Sequence, residues 1–343
     1  VISSYQTFIL AGDPATLGQL QAERVRSLPH PIRAPRAPWA DDEAFLERCA
    51  AELRAVAPAV WAEVAAFAER VGVPLARGLF LRAGTLPHGC SAFAWRLADG
   101  RVLAGRNYDF AASFPNRHLL DTRPSGGLAH LGMNGGMVAG RYDGVNERGL
   151  FVALHKVMAQ RPEQVEPGLP PHLLVRAALE TCADAGEAAR LLAGVPHLAA
   201  FNYTLADPEG RLLALECYPG LPVRARWCAR AVAVANHYAH PSLAPLQGRR
   251  PLAGSRARAE LMRRLPPPGA DPWLAAQLVL ADHSAPVCAH REHGSTLWSG
   301  VFDLTGRRAA YAFGAPCVAP FVERPFPGIA AEGERPALRR AVG

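Results

Sequence analysis

The chain has 343 residues, half of them hydrophobic and a fifth charged, which describes a globular protein of one large or two ordinary domains and excludes a disordered one. No apolar run reaches the about 18 residues a membrane-spanning helix needs, and Val1-Ile2-Ser3-Ser4-Tyr5-Gln6 lacks a secretory pattern, so cytoplasmic residence without a membrane span is expected. The net charge of +7 comes from 37 basic residues, all arginine except Lys156, and they are scattered; they speak for arginine-rich coding, not for a nucleic-acid-binding face.

In chain order, Asp13 to Leu28 and Asp41 to Val71 carry helical apolar periodicity, with Asp41-Asp42-Glu43 suited to a helix start and Pro58 placed to kink or divide the second stretch. After Gly89 the texture becomes β. Ser91–Arg96 and Arg101–Arg106 flank Ala98-Asp99-Gly100 as strand, turn and strand. Strands are expected near 128–132, 136–141 and 149–156, then helices over Pro171–Cys182 and Ala185–Leu192. Strands return at Phe201–Leu205, Arg211–Cys217, Val223–Arg226 and Arg230–Ala235. Helices over Arg256–Leu265 and Trp273–Leu280 precede closing strands at Thr296–Asp303 and Ala309–Phe313. Two blocks of strands with helices grouped between them make an α+β layered domain.

Four features can carry chemistry. The seven cysteines form no CxxC pair and no regular spacing, which argues against a disulfide framework and leaves most of them as small buried hydrophobes. In His88-Gly89-Cys90-Ser91, however, a thiol opens the first strand behind a glycine that leaves the preceding carbonyl unshielded. It reads as a nucleophile or as one more buried cysteine. Gly105-Arg106-Asn107-Tyr108-Asp109-Phe110 ends the second strand of the hairpin, so Arg106 and Asp109 return to the neighbourhood of Cys90, either as site residues or as an ion pair holding the loop. Asn236, in Val234-Ala235-Asn236-His237-Tyr238, is a neutral donor suited to an oxyanion. His237 and His240, extended by His283, His290 and His293, read alternatively as metal ligands. They lack an acidic or cysteine partner at zinc spacing, so neither metal nor cofactor is expected. Gly294-Ser295-Thr296-Leu297-Trp298 lines a pocket or simply packs.

The order of these motifs, with Gly144-Val145-Asn146-Glu147-Arg148-Gly149-Leu150 between them, resembles the isopenicillin-N acyltransferase family of N-terminal-nucleophile hydrolases. That family is kin to the choloylglycine and acid-ceramidase-type amidases. Ala11-Gly12-Asp13 to Gly18-Gln19 resembles its opening segment, and Ser255-Arg256 to Met262 the helix after its Asn-His. The resemblance implies a four-layer αββα sandwich, with residues 1-89 as a mainly helical prosegment and 90-343 as the catalytic domain. It also implies self-cleavage between Gly89 and Cys90, with the two pieces staying associated. Cys90 then serves as nucleophile and its freed α-amine as base. Asn236 donates to the oxyanion, Asp109 holds the ammonium or orients the nucleophile, and Arg106 stands beside the thiol.

Two positions depart from the pattern. His155 stands where relatives usually place an Asn, and it reads as a donor, as an acid–base group or as a buried strand histidine. His293 stands where the acyltransferases carry an Arg, with Arg291 two residues earlier; penicillin chemistry is therefore not expected. Phe93, Tyr108, Phe110 and Trp298 read as an acyl pocket or as ordinary core. The expected activity is hydrolysis of a small linear amide through a thioester. The alternatives are an acyltransferase or cyclase of secondary metabolism fed by an acyl thioester, and an uncleaved binding module.

Overall fold

A computed structural model describes residues 5–26, 41–74, 89–112, 117–135, 137–160, 162, 164–248, 254–291 and 294–329. The chain begins with β1 (Tyr5–Gly12), α1 (Pro14–Arg26), α2 (Glu43–Val56) and α3 (Pro58–Val71). Asp42 caps α2 by accepting from the Phe45 N–H at 2.9 Å, and Pro58 opens α3, where its missing N–H costs nothing. The expected long helix is thus two. The strands β2 (Gly89–Arg96), β3 (Val102–Phe110), β4 (Arg117–Pro124), β5 (His130–Asn134), β6 (Asp143–Asn146) and β7 (Phe151–Lys156) follow. Next come α4 (Pro171–Thr181), α5 (Ala185–Ala193), β8 (Phe201–Ala206), β9 (Leu212–Cys217), β10 (Arg224–Cys228) and β11 (Ala231–Val234). The described chain closes with α6 (Ser255–Met262), α7 (Pro272–Leu280), β12 (His290–Arg291), β13 (Gly294–Asp303), β14 (Arg308–Ala312) and β15 (Phe321–Arg324).

These strands make two sheets. One runs β1-β4-β5-β6-β7-β8-β9-β10; the other runs β11-β2-β3-β13-β14-β15, with β12 hydrogen-bonded to β13. The sheets face each other through β2 against β7 and β8, and β11 against β8 and β9. Helices α4 and α5 cover the outer face of the first sheet, and α6 and α7 that of the second. This is the four-layer αββα arrangement, and period-two alternation fills it. Along β2, Cys90, Ala92 and Ala94 enter the core between the sheets, while Phe93 and Trp95 point the other way into a second core beneath α6 and α7. No helix among the described residues is long and apolar enough to cross a membrane.

One expectation needs correction. No strand forms over the described residues of 136–141. That stretch is an irregular loop in which Ala139 takes a positive φ of 54°, and Asn134 Nδ2 donates to the carbonyls of Met137 (2.8 Å) and Gly140 (2.7 Å). The described N-terminal segment is mainly helical and also adds a strand, since β1 lies in parallel beside β4, with Tyr5 opposite Arg117 and Gly12 opposite Pro124.

Buried polar contacts bind this segment to the rest. Glu63 on α3 accepts from Arg176 on α4 at 2.9 Å, with 1% and 0% of their side chains exposed, and Arg176 also meets Glu180. Gln21 on α1 donates to Glu63 and accepts from the Ala139 N–H at 2.9 Å. The α1–α3 approach is close enough that a Cβ on Gly18 would lie 2.2 Å from the Glu63 carbonyl oxygen. Removing the shared member strands the buried charges that it holds, so Arg176→Ala is expected to cost about 3–5 kcal/mol in chemical denaturation. Glu23→Ala, which breaks an exposed 3.9 Å pair with Arg70, is expected to cost under about 1 kcal/mol. Equal effects of the two substitutions would contradict the assignment.

Candidate active site

The β2–β3 hairpin sets Cys90 opposite Tyr108, Ala92 opposite Arg106 and Gly89 opposite Asp109. Cross-strand partners share a face, so Cys90, Arg106 and Tyr108 all enter the space between the sheets. The Cys90 side chain is fully buried, and Arg106 Nη2 lies 3.5 Å from its Sγ. Burial pushes the Cys90 thiol up to about 11. The Arg106 guanidinium and the Asp109 backbone amide pull it down, but desolvation dominates.

Arg106 does not hold the loop by pairing with Asp109 in the way the sequence allowed. Its salt bridge goes across the inter-sheet core to Asp143 on β6, Nε to Oδ2 at 3.1 Å, with both side chains 1% exposed. Arg106 also donates to the Tyr142 carbonyl, and Asp143 accepts from Trp298 Nε1 at 3.0 Å. Asp143 immediately precedes the Gly144-Val145-Asn146 motif, and sequence reasoning missed it. Asn146 itself builds a turn, donating to the Leu179 and Cys182 carbonyls and accepting from the Arg148 and Leu150 amides.

Asp109 stands at the end of β3 beside the Gly89–Cys90 peptide and accepts from Thr296 Oγ1 at 2.7 Å. A Cβ on Gly89 would come within 2.8 Å of Asp109 Oδ2 and 3.0 Å of its Cβ, so only glycine leaves the carboxylate its place. Asn236, just past β11, accepts from the Cys90 N–H at 2.9 Å and from Arg258 Nη2 at 2.7 Å through the same Oδ1. Its Nδ2 donates to the Lys156 carbonyl at 2.9 Å. Two donors on one atom and a carbonyl on the other fix which way this amide points. Asn202 Nδ2 secures the segment by donating to the carbonyls of Ala235 (3.1 Å) and His237 (2.8 Å).

His155, on β7, faces the Cys90 backbone, and its Nε2 lies 3.0 Å from Thr204 Oγ1. Burial, reinforced by the charges of Arg106 and Arg258, pushes its pKa well below the usual histidine value; it is a neutral ring at physiological pH.

Tyr108, Trp298 and Phe110 gather next to the thiol. Tyr108 stacks on Trp298 with ring centres 3.9 Å apart and planes 6° apart, and Phe110 lies 6.3 Å from Tyr108. Phe93 does not join them. It is an odd number of residues from Cys90 on one strand, so it points into the opposite core and packs against Trp95 at 4.1 Å. His293 lies outside the described residues.

The histidines considered as metal ligands are spent locally in two cases: His237 Nδ1 lies 2.7 Å from Ser255 Oγ, and His240 Nδ1 lies 2.8 Å from Ser242 Oγ. Among the described residues, one group has the donor set of a metal site: His283, Cys288, His290 and Cys317, outside the Cys90 cluster.

Residues 95–317 match the family described as Acyl-coenzyme A:6-aminopenicillanic acid acyl-transferase, a span that begins after Cys90 and includes Arg106, Asp109, Asp143, His155, Asn236 and Trp298. No curated protein matches the sequence significantly. Among solved structures, the chain is similar to a Caenorhabditis elegans N-acylethanolamine-hydrolyzing acid amidase ortholog, at 13% identity over 63% of this chain and 93% of that one, with a TM-score of 0.48. It is similar to penicillin V acylase from Agrobacterium tumefaciens at 17% identity over 65% and 83% of the two chains, with a TM-score of 0.45. A mutant conjugated bile acid hydrolase from Clostridium perfringens matches at 15% identity over 65% and 89%, with a TM-score of 0.39.

The thiol's environment has a measurable consequence. With a pKa near 11, Cys90 is neutral over the ordinary pH range. Its alkylation by iodoacetamide in the folded, uncleaved chain is expected to be at least about tenfold slower at about pH 8.5 than in the same chain unfolded in guanidinium, because burial both keeps the thiol protonated and shields the sulfur. The tryptic peptide spanning Gly89 and Cys90, which only uncleaved chains yield, provides the readout. Equal rates for the folded and the unfolded chain would contradict the buried setting.

Proposed function

Since the chain belongs to the acyl-coenzyme A:6-aminopenicillanic acid acyltransferase family of enzymes, we propose that it is a self-cleaving amidase whose mature nucleophile is an N-terminal Cys90. The observation that carries this reading is the convergence on one peptide bond. The Cys90 N–H is held by Asn236 at 2.9 Å, its thiol by Arg106 at 3.5 Å, and Gly89 sits against Asp109 with no room for a side chain.

In the activating step Sγ attacks the Gly89 carbonyl carbon, the S–C bond forms, the C–N bond breaks, and the thiol proton ends on the Cys90 nitrogen. Water then hydrolyses the thioester, leaving a Gly89 carboxylate and a free Cys90. The neutral His155 ring, facing the Cys90 backbone, helps to hold this strand end in place. Asn236 Oδ1 already accepts from this nitrogen as an amide and goes on accepting from it as an amine. The α-amine, with a reference pKa of about 7.7–8.0, is then the base beside its own thiol. Asn236 therefore holds the amine in this reading. Donation of its Nδ2 to an oxyanion requires the bond to the Lys156 carbonyl to be given up. Asp109 supplies a carboxylate for the ammonium, and Tyr108, Phe110 and Trp298 form the wall nearest the acyl group.

In the catalytic cycle Cys90 attacks a small linear amide, releases the amine, and gives the acyl group to water. The second reading, transfer of that acyl group to an amine, is favoured by the acyl-coenzyme A donor in the family's description. Both share the Cys90 thioester and part only at the acceptor.

Incubation with a panel of N-acyl amines and acyl thioesters is expected to give turnover and, after rapid acid quench, an acyl mass adduct on Cys90. Cys90→Ala should fall below about one-thousandth of the wild-type rate. Persistent turnover in that variant sinks the assignment. Added amines that divert most of the product from acid to amide would favour transfer over hydrolysis.

A further inference from the structure

Opposite the thiol site, on the far side of β13, four side chains from three separate stretches point their donor atoms at one another. His283 comes from the turn after α7, Cys288 from the end of that loop, His290 from β12, and Cys317 from the turn that follows β14. The four donor atoms all lie within 4.8 Å of one another. The two sulfurs are 3.6 Å apart and the two Nε2 atoms 3.2 Å apart, while His290 Nε2 lies 3.4 Å from Cys288 Sγ and 3.1 Å from Cys317 Sγ. Zinc–sulfur bonds of about 2.3 Å and zinc–nitrogen bonds of about 2.0–2.1 Å in a tetrahedron put sulfurs about 3.8 Å apart, nitrogens about 3.3 Å apart, and mixed pairs about 3.5 Å apart. Four of the six separations are close to those of a ligand shell, and the remaining two, from His283 to the sulfurs, lie within 4.8 Å. A disulfide explains them poorly, because it needs sulfurs about 2.05 Å apart and gives the two imidazoles no role.

We propose that His283, Cys288, His290 and Cys317 form a structural zinc site of the Cys2His2 type. The donor set selects the metal. Two thiolates with two imidazoles suit zinc and other soft or borderline ions, and exclude magnesium and calcium, which take oxygen. Two thiolates also neutralise a divalent ion. Four protein ligands leave no open position, so the site is a staple and not a second catalytic centre.

The ligands are held in place by the fold itself. Asp282 Oδ1 accepts from the Ser284 and Ala285 amides at 2.8 and 3.1 Å, and the Asp282 carbonyl accepts from the Cys288 N–H at 2.9 Å. Asn107 on β3 donates to the carbonyls of Leu280 (2.8 Å) and Val287 (2.9 Å), which anchors both ends of the loop to the sheet. Ala289, between the two central ligands, exchanges hydrogen bonds with Thr296: its N–H donates to Oγ1 at 2.8 Å, and its carbonyl accepts from the Thr296 N–H at 2.8 Å. Thr296 is the residue that donates to Asp109. The metal would therefore clamp the 315–319 turn onto the loop that supports the carboxylate beside Gly89.

The test uses the full chain, purified without chelator and analysed for metals by mass spectrometry. About one zinc per chain is expected, falling below about one-tenth in a Cys288→Ser/Cys317→Ser double variant. Because that variant can fail to fold, the wild-type chain is also stripped and reloaded with cobalt(II). Strong visible d–d bands with a sulfur-to-cobalt charge-transfer band in the near ultraviolet are expected of a tetrahedral two-thiolate site. Zinc absent from the wild type, zinc retained by a folded double variant, cobalt without the charge-transfer band, or a Cys288–Cys317 disulfide in the peptide map would each overturn the proposal.

Discussion

A guanidinium buried between two sheets is the constraint around which the rest of this site is arranged. Taking Arg106 out of water costs several kcal/mol, and the structure offsets that with Asp143 at 3.1 Å and the Tyr142 carbonyl. Arg106 belongs to one sheet and Asp143 to the other, so the pair fixes how the layers face each other. Asp143 also accepts from Trp298, whose ring lies flat on Tyr108. One ion pair thereby positions the aromatic wall, the inter-sheet spacing and the cation next to Cys90.

The same arrangement bears on the proposed activation of Cys90. In the uncleaved chain desolvation outweighs the Arg106 charge and keeps Cys90 protonated. In the proposed activation, breaking the Gly89–Cys90 bond would free that strand end while Arg106 stays anchored by Asp143, so no new residue would need to arrive. The N-terminal segment does not have to leave for this to happen. It contributes β1 to the larger sheet and Glu63 to a buried pair with Arg176, contacts that would hold the two pieces together in the proposed cleaved form.

Much of this was legible in the sequence, and the gaps have physical causes. The Asp99-Gly100 turn between apolar runs announced the β2–β3 hairpin, and a hairpin alone is enough to return Arg106 and Asp109 to Cys90. The helices 171–181 and 185–193 were plain from periodicity. β1 and β4 were hidden because a strand pair at the sheet edge that carries Arg117, Asp121 and Arg123, the first buried and the last exposed, does not alternate cleanly. Asp143 escaped notice because its partner sits on another sheet, a relation that no local pattern encodes. Phe93 was misplaced for the opposite reason, since the period of two, applied strictly from Cys90, sends it to the outer face. The cysteine partners of His283 and His290 went unseen because Cys317 lies on a distant turn, and spacing alone cannot bring it to Cys288.

Whether Cys90 becomes a chain terminus is decided by N-terminal sequencing and intact mass of the purified protein, before any alkylation. A self-cleaving chain gives a large fragment whose first residue is Cys90 with a free α-amine, accompanied by a piece ending at Gly89 that coelutes with it under native conditions. A protein that turns over amides while Gly89 and Cys90 are still joined would contradict self-cleavage as the route to activity.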